Sequence, residues 1–230
     1  MADQMIHQLD TVLRALPKSV PSIKTIAQLS EKRQALLGSS LDPHPALRAT
    51  FSREPGEGKL STAEQVASAA LMRINHSGEV CAQALYLGQA FVTRDKKLAV
   101  QLYEAAEEEQ THLKWCKHRL TELNAKPSLL NPVWAFGSFG IGVLAGLAGD
   151  KISLGFLAET ENQVTNHLEK HLNKIAPHDT KSIAILQQMQ EDEKKHATHA
   201  IALGGVALPK PICKLMALCS KVMTTIAKYI

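Results

Sequence analysis

Two Glu-x-x-His motifs occur in the chain, Glu109-Gln110-Thr111-His112 and Glu193-Lys194-Lys195-His196. Residues three apart share one face of an α-helix, so each pair can offer a carboxylate and an imidazole to a single metal ion. Either motif alone is weak. With ten histidines in the chain, roughly one such match arises by chance, and a surface helical pair would read the same way. Context strengthens the signal. A two-metal site in a helical bundle needs one such pair on each of two helices and a lone glutamate on each of the other two. Glu79 and Glu161 fill those places. A hairpin sets the relative height of its two helices at its turn. The midpoint between Glu79 and Glu109 is Arg94, that between Glu161 and Glu193 is Pro177, and both lie in stretches with turn composition. The order of lone Glu, turn and Glu-x-x-His therefore occurs twice, each time with the acids level.

The residue types fit the chemistry. Carboxylates are hard ligands that can bridge two ions, and neutral imidazole suits iron. Four glutamates and two histidines would give two Fe ions, a di-iron centre, a ligand set of low net charge with positions left open for O₂. Four buried carboxylates without metal would be costly. A metal-free chain is therefore expected to be less stable, or to hold its carboxylates protonated. Neighbouring residues compete for these roles. Glu108 lies four residues from His112, and Glu109 is preferred over it on motif spacing. Glu159 and Glu161 lie about 200° apart around a helix, so only one can face inward. His76, His167 and His199 sit near the candidate ligands and are expected to hydrogen-bond behind them or to face solvent. His112 and His196 should each donate the remaining ring N–H to an acceptor, which the sequence does not name.

The elements that must position these residues are helical. Ala, Leu, Glu, Lys and Gln dominate, aromatics are 4% of residues, and no alternating strand pattern appears, so the expected fold is all-α. Residues 3–17 and 22–37 read as short helices, and 39–60, rich in Ser, Pro and Gly, as a linker. Ser61-Thr62-Ala63-Glu64 is a capping box opening a helix to about Phe91. A second helix is expected over about 95–123. Asn131-Pro132 reads as an N-cap with proline at the first helical position. Asp150 or Ser153 is expected to cap the next helix, to about 175. Pro177-His178-Asp179 turns into a last core helix that stops at Gly204-Gly205. This divides the chain into an N-terminal helical extension and linker over 1–60, a bundle over 61–205 with an apolar connector at 132–149, and an amphipathic tail over 206–230.

Hydrophobic residues at 45% and charged residues at 21% fit a globular protein. The net charge of +4 is mild, and no basic patch interleaved with aromatics suggests nucleic acid. Cys81, Cys116, Cys213 and Cys219 form neither a CxxC pair nor a zinc spacing, which fits a reducing compartment. The N-terminal stretch carries acids and no long apolar run, unlike a signal peptide.

At Arg73-Ile74-Asn75-His76-Ser77-Gly78-Glu79, Glu107–His112, Ala158-Glu159-Thr160-Glu161 with His167 following, and Asp192–His196, the sequence resembles the demethoxyubiquinone hydroxylase family. These are the di-iron monooxygenases of ubiquinone biosynthesis, and the resemblance covers about 61–205. It implies a ferritin-like four-helix bundle with an apolar crossover helix and extra N- and C-terminal helices. It also implies that Glu79, Glu109, His112, Glu161, Glu193 and His196 are the metal ligands, with Glu109 and Glu193 serving both metals, and that His167 lies near the site. Two departures stand out: the first sixty residues lie outside the mitochondrial pattern, and Asn162 replaces a second glutamate. Neither touches a ligand. The implied reaction hydroxylates 2-polyprenyl-3-methyl-6-methoxy-1,4-benzoquinol with O₂, with other ubiquinone-synthesis proteins as partners. No Rossmann fingerprint is present, so a nicotinamide donor would bind by other means.

A polyprenyl quinol resides in the bilayer. The uncharged run Pro132–Gly149 is at the short edge of a spanning helix, but spanning would put the two halves of the site on opposite sides of the membrane. It is read instead as an interfacial connector or lipid entrance, with a buried core helix as the plainer alternative. The tail, with Lys210, Lys214, Lys221 and Lys228 among apolar residues, reads as a basic interfacial helix or as a helix packed on the bundle. The expected location is the cell membrane, peripheral, on the cytoplasmic side. Two other functions remain open: another ferritin-like oxidase, and a non-catalytic lipid- or quinone-binding scaffold.

Overall fold

The computed structural model describes residues 60–230, and the expected helices and linker over 1–59 lie outside them. Six helices make up the described residues: α1 (Thr62–Val92), α2 (Lys96–Glu122), α3 (Asn131–Leu147), α4 (Asp150–Leu172), α5 (Thr180–Ala202) and α6 (Lys210–Ala227). The fold is all-helical. α1, α2, α4 and α5 form a four-helix bundle of ferritin-like type, with α3 as the crossover.

Local chemistry explains the boundaries. The Ser61 hydroxyl accepts from the Glu64 amide while the Glu64 carboxylate accepts from the Ser61 amide, closing the capping box. Asp95 accepts from the amides of Lys97 and Leu98 to start α2. Asp179 accepts from the Ser182 amide to start α5. Two expected caps are not formed. Asn131 is the first residue of α3, and its side chain accepts instead from the Ser77 hydroxyl on α1. α4 opens after Gly149 at φ 106°, a backbone conformation that favours glycine over Asp150 or Ser153 as the residue before the helix. The side chains of those two residues face α1: Asp150 accepts from Thr93 and Ser153 from Gln89.

Short turns make α1–α2 and α4–α5 antiparallel pairs. The eight residues between α2 and α3, and the run of α3 back along α1, deliver α4 to the end of the bundle where α2 began. That return path is narrow. A methyl group on Gly142 would lie 2.2 Å from the Leu85 carbonyl oxygen, and one on Gly88 2.2 Å from that of Phe139. Side chains at these positions would drive the two helix backbones apart.

Two apolar layers fill the bundle. One gathers Met72, Trp115, Cys116, Leu168 and Met189 toward the start of α1. The other gathers Ala82, Tyr86, Leu102, Ala106, Leu157, Ala158 and Ala200 toward its end. Polar clamps bind the ends. At one, buried Arg119 on α2 donates to Asp179 at 2.7 Å and to Ser182 at 2.9 Å, while Ser68 on α1 donates to Asp179 at 2.6 Å. At the other, Gln89 donates to the Ser153 backbone oxygen at 2.7 Å. Breaking a buried pair such as Arg119–Asp179 leaves an uncompensated charge and costs about 3–5 kcal/mol, so these clamps hold the heights of the helices firmly.

Candidate metal centre

Between the two apolar layers each bundle helix turns a glutamate inward. Glu79 (α1), Glu109 (α2), Glu161 (α4) and Glu193 (α5) are at most 2% exposed, as is His112. Ligand atoms of Glu79, Glu109, His112 and Glu193 all lie within 4.8 Å of one another. His112 Nδ1 is 3.5 Å from Glu79, 3.3 Å from Glu109 and 3.1 Å from Glu193. His196 Nδ1 is 3.3 Å from Glu109 and 3.2 Å from Glu193. Glu161 lies beside Glu193, and its two carboxylate oxygens are buried with no donor to either. All six sequence candidates thus meet in one cluster. Glu109 and Glu193 each face both imidazoles, the placement required of carboxylates that would serve two ions.

The competing residues sort out by exposure. Glu108 lies outside the cluster with a side chain 58% exposed, and Glu159 turns to Gln163. His199 faces solvent. His76 is buried beside Asn131, and half-buried His167 stacks edge-on against His171 at 4.4 Å.

The sequence left unnamed the acceptors behind His112 and His196. His196 Nε2 lies 2.7 Å from Glu108, and His112 Nε2 lies 3.5 Å from Asp192. Each acid directly precedes the inward glutamate of its own helix and reaches the histidine of the other. The signal was present as an acid before each Glu-x-x-His, but crossing between helices is a tertiary property. Also unforeseen were Tyr86, and the Asn75–His171 pair at 2.7 Å.

Electrostatics show how far the cluster departs from ordinary carboxylates. Burial, reinforced by the neighbouring acids, pushes Glu79 and Glu161 well above the usual carboxylate range. Burial would raise Glu109 too, but hydrogen bonds from His112 and His196 outweigh it and hold the group low. The same balance lowers Glu193. Burial disfavours charge on His112 and His196, yet the surrounding acids raise both strongly. Without metal the cluster thus splits, with Glu79 and Glu161 pushed toward the neutral form and Glu109 and Glu193 held toward the charged form by the two imidazoles. Both oxygens of Glu161 nonetheless lack any partner, and Glu109 Oε1 and Glu193 Oε1 face only an imidazole nitrogen each, at 3.3 and 3.1 Å and poorly aligned for a hydrogen bond. Buried acceptors without donors are rare, and a hard cation is what this donor set fits.

The fold and the cluster define a helical bundle whose core carries a carboxylate–histidine group able to bind metal. Residues 66–227 match the family model described as "Ubiquinone biosynthesis protein COQ7", and the chain belongs to that family. It is 48% identical to a 3-demethoxyubiquinol 3-hydroxylase of Ralstonia pickettii (strain 12J), covering 99% of both chains. It is 53% identical to one of Legionella pneumophila (strain Corby), over 81% of this chain and 89% of that one. A third, from Cupriavidus pinatubonensis, is 54% identical over 75% and 84%. Among solved structures, a dodecameric thioferritin, the bacterioferritin-related protein of Bacteroides fragilis, gives a TM-score of 0.48 at 18% identity, over 63% of this chain and 86% of that one.

Proposed function

We propose that the chain is a 3-demethoxyubiquinol 3-hydroxylase, an O₂-dependent monooxygenase of ubiquinone biosynthesis acting on 2-polyprenyl-3-methyl-6-methoxy-1,4-benzoquinol. The observation that carries this is the convergence of all six candidate ligands in a chain similar over nearly its whole length to proteins of that name. Glu79, Glu109 and His112 would hold one iron, Glu161, Glu193 and His196 the other, with Glu109 and Glu193 shared. When bound, the iron pair would supply the O₂ chemistry that, with two electrons and two protons from an external reductant, puts one oxygen on the ring and releases the other as water.

The chain's own residues contribute placement and exclusion. Glu108 and Asp192 fix the tautomer of each imidazole by accepting a hydrogen bond from its Nε2–H, leaving Nδ1 free toward the carboxylates. The apolar layers on both sides keep bulk water from the reacting ring.

Peripheral contact with the cell membrane, at the cytoplasmic side, belongs to the same reading. No helix among the described residues is long and apolar enough to cross a membrane. α3 exposes Val133, Phe136, Leu144 and Leu147, and α6 exposes Ile212, Leu215, Leu218 and Val222. At about 100° per residue, Lys210, Lys214, Lys221 and Lys228 share a stripe of α6 about 40° wide, beside its apolar face. That combination suits an anionic lipid surface. Removing 209–230 should weaken sedimentation with anionic vesicles; unchanged binding would discard this role for α6.

The deciding experiment expresses the chain in a host lacking the hydroxylase and follows quinone intermediates by mass. Conversion of the demethoxy compound, abolished by Glu109→Ala, is expected. Iron-loaded protein that leaves it unconverted would reject the hydroxylase reading. Activity surviving Glu109→Ala would point to a scaffold role.

A further inference from the structure

The two layers flanking the carboxylates differ in the side chains set nearest to them. On the side toward the start of α1, the cluster meets Met72, Trp115, Cys116, Leu168 and Met189. On the other side every bundle helix presents alanine: Ala82 on α1, Ala106 on α2, Ala158 on α4 and Ala200 on α5, each buried in one packed cluster. Three of them stand one helical turn from the glutamate of their own helix, and the fourth stands one turn beyond His196. The helix directions place all four on the same side.

Tyr86 caps that alanine layer. It belongs to the same cluster, is fully buried, and its hydroxyl has no hydrogen-bond partner. Tyr86 follows Glu79 by seven residues, so the two share a face of α1. Side chains in a helix lean toward its N-terminus, which inclines the phenol back over Ala82 toward the carboxylates. Buried Tyr hydroxyls normally find a partner. Its apolar cluster is Leu and Ala with half-buried Tyr103 packed against it, and no acceptor among them takes the Tyr86 proton.

We infer that the alanine layer receives the aromatic ring of the quinol and that the Tyr86 hydroxyl donates a hydrogen bond to one of its oxygen substituents. The inference rests on the hydroxylase reading and adds to it which side of the centre the ring occupies and which residue orients it. One turn from the carboxylate–histidine cluster this face carries alanine from all four helices, so a flat ring meets little side-chain bulk there. An unpartnered donor in an apolar wall then favours the orientation that pairs it, because the reverse leaves a ring oxygen and the phenol both unpaired. The opposite side carries the bulkier Met72, Trp115 and Met189.

The test uses iron-loaded full-length enzyme and a short-chain demethoxyquinol. Tyr86→Phe should keep its iron and its melting temperature, since it loses only an unpartnered hydroxyl. Loss of one hydrogen bond to the ring should lower kcat/KM about tenfold, mainly through KM. Binding of a short-chain 1,4-benzoquinone, read by quenching of tryptophan fluorescence, should weaken by a similar factor. Ala158→Val, which narrows the layer without touching Tyr86, should weaken the same binding while iron is retained. Wild-type enzyme that turns over, alongside Tyr86→Phe with unchanged kcat/KM and quinone binding, would overturn the inference and leave the hydroxylase reading standing. Wild-type enzyme that neither binds nor hydroxylates the quinol would reject the hydroxylase reading itself, and this inference with it.

Discussion

Glu108 on α2 and His196 on α5 meet at 2.7 Å across the bundle, while Glu109, the next residue, faces the other ring nitrogen of the same histidine at 3.3 Å. One imidazole is thus gripped from both sides by consecutive acids of a single helix. Asp192 and Glu193 grip His112 in the mirror sense, at 3.5 and 3.1 Å.

That cross-bracing predicts the effect of removing its outer members. Glu108→Ala frees the ring of His196 to rotate and to change tautomer. Metal affinity should fall about 10–100-fold, and Asp192→Ala should do the same through His112. Glu191→Ala, beside Asp192 but paired outward with Lys195, is the control and should leave affinity alone. Competition against a chelator measures all three. Equal affinities would show that the outer acids do not orient the ligands.

Glu161 offers a test of opposite sign in the presence and absence of metal. Both its oxygens are buried and unpartnered, a cost of about 1–3 kcal/mol. Glu161→Leu, of similar volume, should therefore raise the melting temperature of the metal-free protein by several degrees. Added Fe(II) should stabilise the wild type far more than the variant, because a ligand is gone. Thermal unfolding with and without chelator reads both effects.

The α1–α3 contact predicts different outcomes for two glycines two residues apart. Gly142→Ala places a methyl 2.2 Å from a backbone oxygen that cannot move alone, and should cost about 1–3 kcal/mol. Gly140 has nothing within 4 Å of a new methyl. Gly140→Ala should be neutral, or stabilising by up to about 1 kcal/mol through helix propensity. Denaturant titration distinguishes them.

His171 makes a pH prediction away from the metal cluster. Burial, with His167 and Lys174 nearby, pulls its value down from 6.5 to about 3. Its ring accepts no proton in the fold until well below the pH at which the unfolded chain takes one. Stability from this group is therefore complete above about pH 6.5 and is lost as pH falls toward 3. Its share is at most about 1.4 kcal/mol per pH unit. His171→Gln, which can keep a hydrogen bond to Asn75, should flatten the stability profile across that window relative to wild type. Identical slopes would refute the assignment.

Much of this was legible because helices convert spacing into facing. The two Glu-x-x-His motifs, the lone glutamates and the turn positions between them follow from a repeat of 3.6 residues and a short hairpin. The capping box at Ser61 and the stop at Gly204 are equally local. The caps expected from Asn131, Asp150 and Ser153 were not formed, because each side chain found a tertiary partner on α1 that competes with its local role.

The sequence by itself determined the helices, the order of the two hairpins and the six residues of the cluster, since all of these depend on neighbours within a few turns of chain. Only the tertiary structure decided how the hairpins meet. The reciprocal grip of Glu108 on His196 and Asp192 on His112, the glycine contact that lets α3 return along α1, and the alanine layer under Tyr86 all join helices far apart in the chain. Their distances are set by packing and by the end clamps of Arg119 and Gln89, which no local periodicity encodes.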